Sequence, residues 1–456
     1  MKVSSEQKRE AIVFFCYLLL IGIDTVVFGI LWNYYYNARL FSVNSAIITG
    51  LFLIIYTSFA KLYSGFDIKM QRIQELVYSH IITSFMTGVL IYLVTWIIKK
   101  EMPNMLPIFG CICFWSVVSV LWAYWTVRLM KSIIIPGRAL AVYDNLIAYK
   151  NGIKMSSKLN WRFSLEKEIS IGEGLDRIFD ELASGLYNFV LLLGVASSER
   201  NDIIKYCISN DIEICVRPNI GDFLIQSGHM AQIDHLPVMF LGRGKSGVFY
   251  LGLKRFLDIF FSFLALFVLS PVLLLTALAI KLEDGGVIFF KQDRYTINGK
   301  VFSIYKFRSM KENADNGGTE GIITVQNDIR ITRVGKVIRR CRIDELPQLL
   351  NILKGDMSIV GPRPERIEAA DIYQKEIPEF KLRLQVKAGL TGYAQVYGKA
   401  NSAPYDKLQM DLYYIGQQSI VTDMKIVLAT IKIIFMPEST EGFSTGIEKE
   451  TKGDRK

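Results

Sequence analysis

A chain of 456 residues has room for two or three domains, and its composition makes them unlike one another: 51% of residues are hydrophobic and 21% are charged, so the apolar residues must be gathered into particular segments. The formal charge of +10 suits nucleic acid, anionic lipid or phosphorylated small molecules. Membrane-length segments favour the last two, the lack of long basic runs with interleaved aromatics outside the membrane flanks argues against nucleic acid, and six cysteines without a CxxC pair beside three histidines argue against a thiolate or histidine metal centre.

Four apolar segments open the chain, at roughly 11–33, 45–60, 79–98 and 108–127. Each approaches the ~20 residues a helix needs to cross the hydrocarbon core, which predicts a four-span transmembrane domain over 1–130. The first segment has no small-residue cleavage site and further spans follow it, unlike a removable signal peptide. Lys2, Lys8 and Arg9 precede the first span, Lys61, Lys69 and Arg72 lie between the second and third, and Arg128, Lys131 and Arg138 follow the fourth. The opposite loops carry only Arg39, then Lys99 and Lys100 beside Glu101, so the N-terminus and everything beyond residue 130 are expected on the cytosolic face.

Residues 131–245 read as a cytosolic Rossmann-like α/β domain, with apolar runs at Ala139–Tyr143, Phe189–Leu193 and Ile212–Val216 separated by helical stretches. The first run enters Asp144 and Asn145 without a glycine-rich turn, so no dinucleotide site is expected. Gly242, Gly244 and Gly247 in LGRGKSG invite comparison with a phosphate loop, but Met239 stands where its first glycine belongs, and the segment reads as a linker or surface turn.

Next comes Ile259–Ile280, preceded by Lys254, Arg255 and Asp258 and closed by Lys281. Its length permits a full crossing, which would carry the basic segment 282–456 to the outer face. Ser270-Pro271 offers another course. Proline removes one helix hydrogen bond and bends the axis, the serine hydroxyl can satisfy the freed carbonyl, and a re-entrant helix over 254–282 would then dip into the membrane and return. A kinked fifth span is the competing reading. The polar segment 437–456 reads as a disordered tail.

The densest signal is RRCRIDELPQLLNILKGDMSIVGPRPE, residues 339–365. Leu346, Leu349, Leu350 and Leu353 recur at helical spacing and predict a short amphipathic helix from Glu345 to about Lys354, with Pro347 in its first turn. Asp344 and Glu345 then sit at a helix start, where free N–H groups and the dipole favour the ionised carboxylate. An isolated Asp at that place is an ordinary N-cap. Here Arg339, Arg340, Arg342 and Arg363 surround two adjacent carboxylates, as a divalent metal and a diphosphate would require.

This stretch resembles the catalytic signature of the bacterial polyprenyl-phosphate hexose-1-phosphate transferases of the monotopic type. Further motifs follow in that family's order: Lys254-Arg255 with Asp258, the Ser270-Pro271 break, FFKQDR (289–294), YKFRSM (305–310) and GLTGYAQVYG (389–398). The likeness is strong over 250–436, with Tyr393 where Trp is common, and four spans followed by a cytosolic α/β domain resemble the larger architecture within the family. The resemblance implies a mostly α-helical monotopic catalytic domain over 246–436, in a multi-pass protein of the bacterial cytoplasmic membrane.

It also implies that Asp344 attacks the β-phosphorus of a UDP-hexose and expels UMP, leaving a sugar-phosphoryl aspartate from which undecaprenyl phosphate takes the sugar phosphate. That is a first membrane step of capsule, exopolysaccharide or other glycan synthesis. Glu345, with Asp344, would hold Mg²⁺ shared with substrate phosphates. Arg339, Arg363 between Pro362 and Pro364, and Lys306 match positions that hold phosphate or nucleotide. Arg308, Lys291 and Arg294 are further candidates; Arg339, Arg363, Lys306 and Arg308 are each open instead to a surface salt bridge with a nearby acidic residue, and Lys291 and Arg294 to a lipid headgroup.

Two rival readings stay open at this point: a lipid-acceptor glycosyltransferase that releases UDP, and a regulatory membrane scaffold for polysaccharide export. No residue distinguishes the hexose, for which glucose and galactose are the expectations in this architecture. A homo-oligomer is compatible with the chain.

Overall fold

The computed structural model describes residues 5–36, 43–68, 73–133, 136–145, 149–150, 163–242, 246–311, 330–398 and 402–434, and the tail expected at 437–456 lies outside them. Contacts divide the chain into two compact units, Met1–Pro218 and Asn219–Lys456.

In the first unit the apolar segments are helices α1 Ser5–Tyr36, α2 Val43–Leu62, α3 Ile73–Lys99 and α4 Leu106–Ile133, each long and apolar enough to cross a membrane. They run past the predicted limits because helix hydrogen bonding need not stop where hydropathy does. Outward positions such as Phe14, Val26, Ile54, Phe85 and Val117 are exposed apolar side chains. Inside, Phe28, Phe52 and Trp115 pack with ring centroids 4.4 Å (Phe28–Phe52) and 4.9 Å (Phe52–Trp115) apart. Lipid tails compete with apolar burial, so helix association rests on such close packing. Gly88 of α3 shows how close: a Cβ there would stand 2.5 Å from the Ile112 side chain of α4.

The rest of this unit is a parallel sheet of β1 Gly137–Tyr143, β2 Phe163–Ser170, β3 Phe189–Leu193 and β4 Glu213–Val216, in the order β2-β1-β3-β4. Leu140, Val142, Val190 and Leu192 face helices α5 Leu175–Ala183 and α6 Ser197–Ser209 through Ile178, Leu182 and Ile203. Ala139, Ala141, Phe163, Phe189 and Leu191 form a second core on the other face. The central strand β3 is buried at every position, as an unbroken apolar run in a parallel sheet should be.

The second unit is mixed α/β. It comprises α7 Ile220–Gln226, the hairpin β5 His229–Ile233 with β6 Leu236–Phe240, the long helix α8 Val248–Asp284, the hairpin β7 Phe289–Tyr295 with β8 Val301–Phe307, α9 Arg333–Arg340, α10 Gln348–Lys354, β9 Met357–Val360, α11 Ile367–Glu376, β10 Ala388–Thr391, α12 Tyr393–Tyr397, α13 Pro404–Gly416 and α14 Ile420–Ile434. β9 and β10 pair in parallel.

Helix α8 continues through Pro271. Pro271 has no N–H for the Phe267 carbonyl one turn back, and the Ser270 hydroxyl donates to that carbonyl instead, at 2.7 Å. One flank of α8 is attached to the same body along its length. Lys254 pairs with Asp423 at 2.7 Å, Arg255 donates to the Ile352 and Leu353 carbonyls at 2.6 and 2.8 Å, and Asp258 accepts from the Ile359 amide at 3.0 Å. Ala265 and Leu266 pack on Phe302, Ile304, Leu349 and Ile352, and Leu273, Ala277 and Ile280 pack on Phe307 and Ile338. At the C-terminal end Glu283 accepts from the Arg333 amide at 2.6 Å and Asp284 pairs with Arg308. The opposite flank, with Phe256, Phe260, Phe263, Phe267, Leu274, Leu278 and Leu282, is bare.

Candidate active site

The β7–β8 hairpin sets out two faces, since opposed residues of an antiparallel pair share a side. Lys306 opposes Phe290, on the face that also holds Arg294, and Tyr305 opposes Lys291 on the other. The buried Asn351 of α10 ties this hairpin down, accepting from the Tyr305 amide at 3.0 Å and donating to the Ser303 carbonyl at 2.8 Å. The residues just before α10 are thereby brought beside Lys306.

Those residues are a 3-10 turn, Ile343–Glu345, entered through Arg342 at φ 55°. The helix predicted to start at Glu345 begins at Gln348. Pro347 cannot donate, and the amides around it bond three residues back: Leu346 to Ile343, Leu349 to Leu346 and Leu350 to Pro347. Asp344 and Glu345 therefore stand one turn ahead of the α-helix, and side-chain charges rather than a helix end dominate their electrostatics.

Glu345 is the hub. Its Oε1 accepts from Arg363 Nη2 at 2.7 Å and from Lys306 Nζ at 3.4 Å, with only 14% of its side chain exposed. Burial alone would raise the Glu345 carboxyl, but the Arg363 and Lys306 charges outweigh it and hold the group well below the usual carboxylate range. Asp344 is different. Burial and the neighbouring Glu345 charge push its carboxyl up, against the pull of Lys306, Arg339 and Arg363, and no hydrogen bond holds it among the described residues. One carboxylate is thus locked into an ion-pair network, and its neighbour is left free beside three cations.

Arg363 reaches the hub from the loop Gly361-Pro362-Arg363-Pro364, where the Gly361 amide donates to the Thr391 carbonyl at 2.9 Å and, since both prolines lack an N–H, the following carbonyls are the other handles. Pro362 O accepts from the Gly389 amide at 2.9 Å, Arg363 O from Arg383 at 2.7 Å and Pro364 O from Arg294 at 3.1 Å. Gly389 must be glycine here: a Cβ would stand 2.2 Å from the Gly361 nitrogen.

Of the residues singled out in the sequence, Asp344, Glu345, Lys306, Arg339 and Arg363 converge, and Pro362 and Pro364 shape the loop. Arg294 braces that loop from behind, where burial and the Arg363 and Arg366 charges lower it to about 10. Arg308 is drawn away to Asp284 at the end of α8. Lys291 stands 5.5 Å over the Tyr305 ring on the other face of the hairpin. Asn351, Arg255 and Arg383 hold these elements in register through backbone groups distant in the chain; Arg255 and Asn351 lie in motifs the sequence marks, but their bracing role and Arg383 as a whole carried no signal there.

Among the described residues no group of three or more His, Cys, Asp and Glu side chains could enclose a metal ion. Two adjacent carboxylates are instead what Mg²⁺ takes when it keeps water and shares oxygens with a phosphate, and both cations on Glu345 fall on Oε1. The donor set is all oxygen. The Mg²⁺ implied by the resemblance fits these residues.

Residues 249–437 match the sequence profile described as bacterial sugar transferase. The chain is 44% identical over 206 residues to the UDP-N-acetylgalactosamine-undecaprenyl-phosphate N-acetylgalactosaminephosphotransferase of Aeromonas hydrophila, covering 44% of this chain and 48% of that one. It is 45% identical over 190 residues to the exopolysaccharide production protein PSS of Rhizobium leguminosarum bv. phaseoli, covering 39% of this chain and 93% of the relative. Over 329 residues it is 32% identical to the UDP-glucose:undecaprenyl-phosphate glucose-1-phosphate transferase of Klebsiella pneumoniae, covering 64% and 70%. The chain thus spans about half the length of the Aeromonas relative and nearly all of the Rhizobium one.

Proposed function

The chain belongs to the bacterial sugar transferase family, and from that premise we propose that it transfers a sugar 1-phosphate from a UDP-sugar to undecaprenyl phosphate. The observation that carries the reading is the contrast within one pair of residues: Glu345 fixed by Arg363 and Lys306, and Asp344 beside the same cations without a side-chain hydrogen bond among the described residues.

In the first half-reaction an Asp344 oxygen attacks the β-phosphorus of the donor. An aspartyl–phosphorus bond forms, the bond from that phosphorus to the bridging oxygen breaks, and UMP departs with the bridging oxygen and its electron pair. In the second, a phosphate oxygen of undecaprenyl phosphate attacks the same phosphorus and frees the Asp344 carboxylate, leaving a lipid-linked sugar diphosphate. Arg363, Arg339 and Lys306 supply positive charge around phosphorus, and positioning and charge neutralisation are most of what a protein contributes to phosphoryl transfer. Glu345 fixes Arg363 and Lys306 relative to Asp344. Mg²⁺ held by Glu345 and Asp344 would supply Lewis-acid neutralisation of the diphosphate.

Helix α8 gives this site a membrane surface. Its attached flank holds both ends against one body, and its bare apolar flank is what lipid would cover. We read it as a re-entrant element whose ends lie on the cytosolic side, with Ser270-Pro271 at its deepest part. Single cysteines at positions 251 and 282 in a cysteine-free background should both react with a membrane-impermeant maleimide added from the cytosolic side. Labelling of position 282 from the opposite side only would make α8 an ordinary span.

The chemistry is tested with a panel of UDP-sugars, undecaprenyl phosphate and Mg²⁺. UDP-glucose and UDP-galactose come first, and UDP-N-acetylgalactosamine is included because the Aeromonas relative bears that name. UMP as the nucleotide product is the expected result. UDP would assign the chain to the glycosyltransferase reading instead.

A further inference from the structure

Behind the loop that carries Arg363 lies a buried ion pair for which the reaction above has no use. Arg383, in the 3-10 turn Pro378–Gln385, donates through Nε and Nη2 to Asp411 Oδ2 of α13 at 2.9 and 2.7 Å. Arg383 is 4% exposed and Asp411 1%. The same Nη2 donates to the Arg363 carbonyl at 2.7 Å, and the guanidinium lies 4.8 Å over the Phe380 ring. Next along the loop, Glu365 sits 4.0 Å from Arg383 Nη1 and 3.6 Å from Lys407 Nζ.

A buried ion pair is an expensive way to hold a fold, since desolvation of both charges consumes most of their attraction, and apolar residues of like volume would pack as well. What an apolar pair would not supply is a donor for the Arg363 carbonyl. The guanidinium is planar and forked, so Asp411 fixes its orientation and leaves one N–H aimed at the loop. We propose that Arg383 and Asp411 are positioning residues that set the place of the Arg363 side chain over the donor's phosphates. The proposal rests on the reading of Arg363 as a phosphate-holding residue.

The test is a double-mutant cycle with Asp411→Asn and Arg363→Lys in the full-length protein, with rates normalised to active sites by the UMP burst. Asp411→Asn alone should lower kcat/KM by roughly tenfold to a hundredfold, the scale set by misplacing a group by a fraction of an ångström to one ångström. In the Arg363→Lys background the same change should cost less than about twofold, because the residue through which it acts is already altered. Arg383→Lys keeps the charge but gives up the fork, and should show the same non-additivity if Asp411→Asn yields too little folded protein. Losses that multiply in both backgrounds would reduce the pair to a structural role and overturn the proposal.

The cycle is read a second time as the Kd of UDP, which needs no turnover. A parent protein that makes no UMP refutes the transferase reading alone, and UDP affinities that are additive across the cycle refute the positioning role alone.

Discussion

Asp344→Asn should reduce UMP release by about 10³-fold or more while leaving UDP-sugar affinity within a few-fold of the parent. The amide has nearly the same size and cannot form the aspartyl–phosphorus bond, and among the described residues Asp344 carries no side-chain hydrogen bond whose loss would unsettle the turn. Glu345, Arg363 and Lys306 stay as they are, so the donor still meets its cations. The parent's pH profile should agree. Burial and the adjacent Glu345 charge raise the Asp344 carboxyl, so kcat/KM should fall with decreasing pH along an acid limb placed above the ordinary carboxylate value. The stability linked to Asp344 has the opposite sign: it is fully present below the unfolded pKa and is lost as pH rises through the raised folded value. A carboxylate desolvated beside a second one is a cost to folding that the site bears for its function.

Glu345→Gln should be the more damaging change to the protein itself. It leaves Arg363 and the largely buried Lys306 facing one another without the carboxylate that joins them. Removing one member of a buried pair costs about 3–5 kcal/mol, and the 41% exposure of the Arg363 side chain places this case lower, at roughly 2–3 kcal/mol. For a unit of this size that is a fall of roughly 5–10 °C in the apparent Tm of the catalytic part. Activity should drop by about 10²-fold or more, since both cations lose their anchor. Adding Lys306→Met to Glu345→Gln should recover much of the melting temperature and none of the activity. Recovery of both would mean that Glu345 serves packing alone. The folded carboxyl of Glu345 is depressed, so its contribution is present above the unfolded value and is lost as pH falls toward the folded one.

The legible parts of this protein were those written in adjacent residues. Four apolar stretches of membrane length became α1–α4, and the runs at 139–143, 189–193 and 212–216 lie on β1, β3 and β4. Strand β2 was harder to see, because Phe163–Ser170 carries exposed Glu166 and Lys167 at the sheet edge and makes no apolar run. The helix start at 345 was misplaced by three residues, since spacing of leucines sees a hydrophobic face and not the hydrogen-bond pattern that Pro347 imposes.

Charge partners were the least legible. Lys291, Lys306 and Arg308 look alike in sequence, yet strand alternation turns Lys291 outward, Lys306 toward Glu345, and the chain beyond β8 carries Arg308 to Asp284. Arg383 and Asp411 lie 28 residues apart, and only the fold brings them together behind Arg363.

The central claim is a covalent bond between Asp344 and the donor's phosphorus. Incubating the protein with UDP-sugar and Mg²⁺ in the absence of any polyprenyl phosphate, quenching in acid and weighing the peptide that contains residue 344 tests it directly. A sugar-phosphate adduct on Asp344, formed together with one equivalent of UMP and missing in Asp344→Asn, is the predicted result. UMP that forms only once the lipid is added, with no adduct on the peptide at any time, would contradict it.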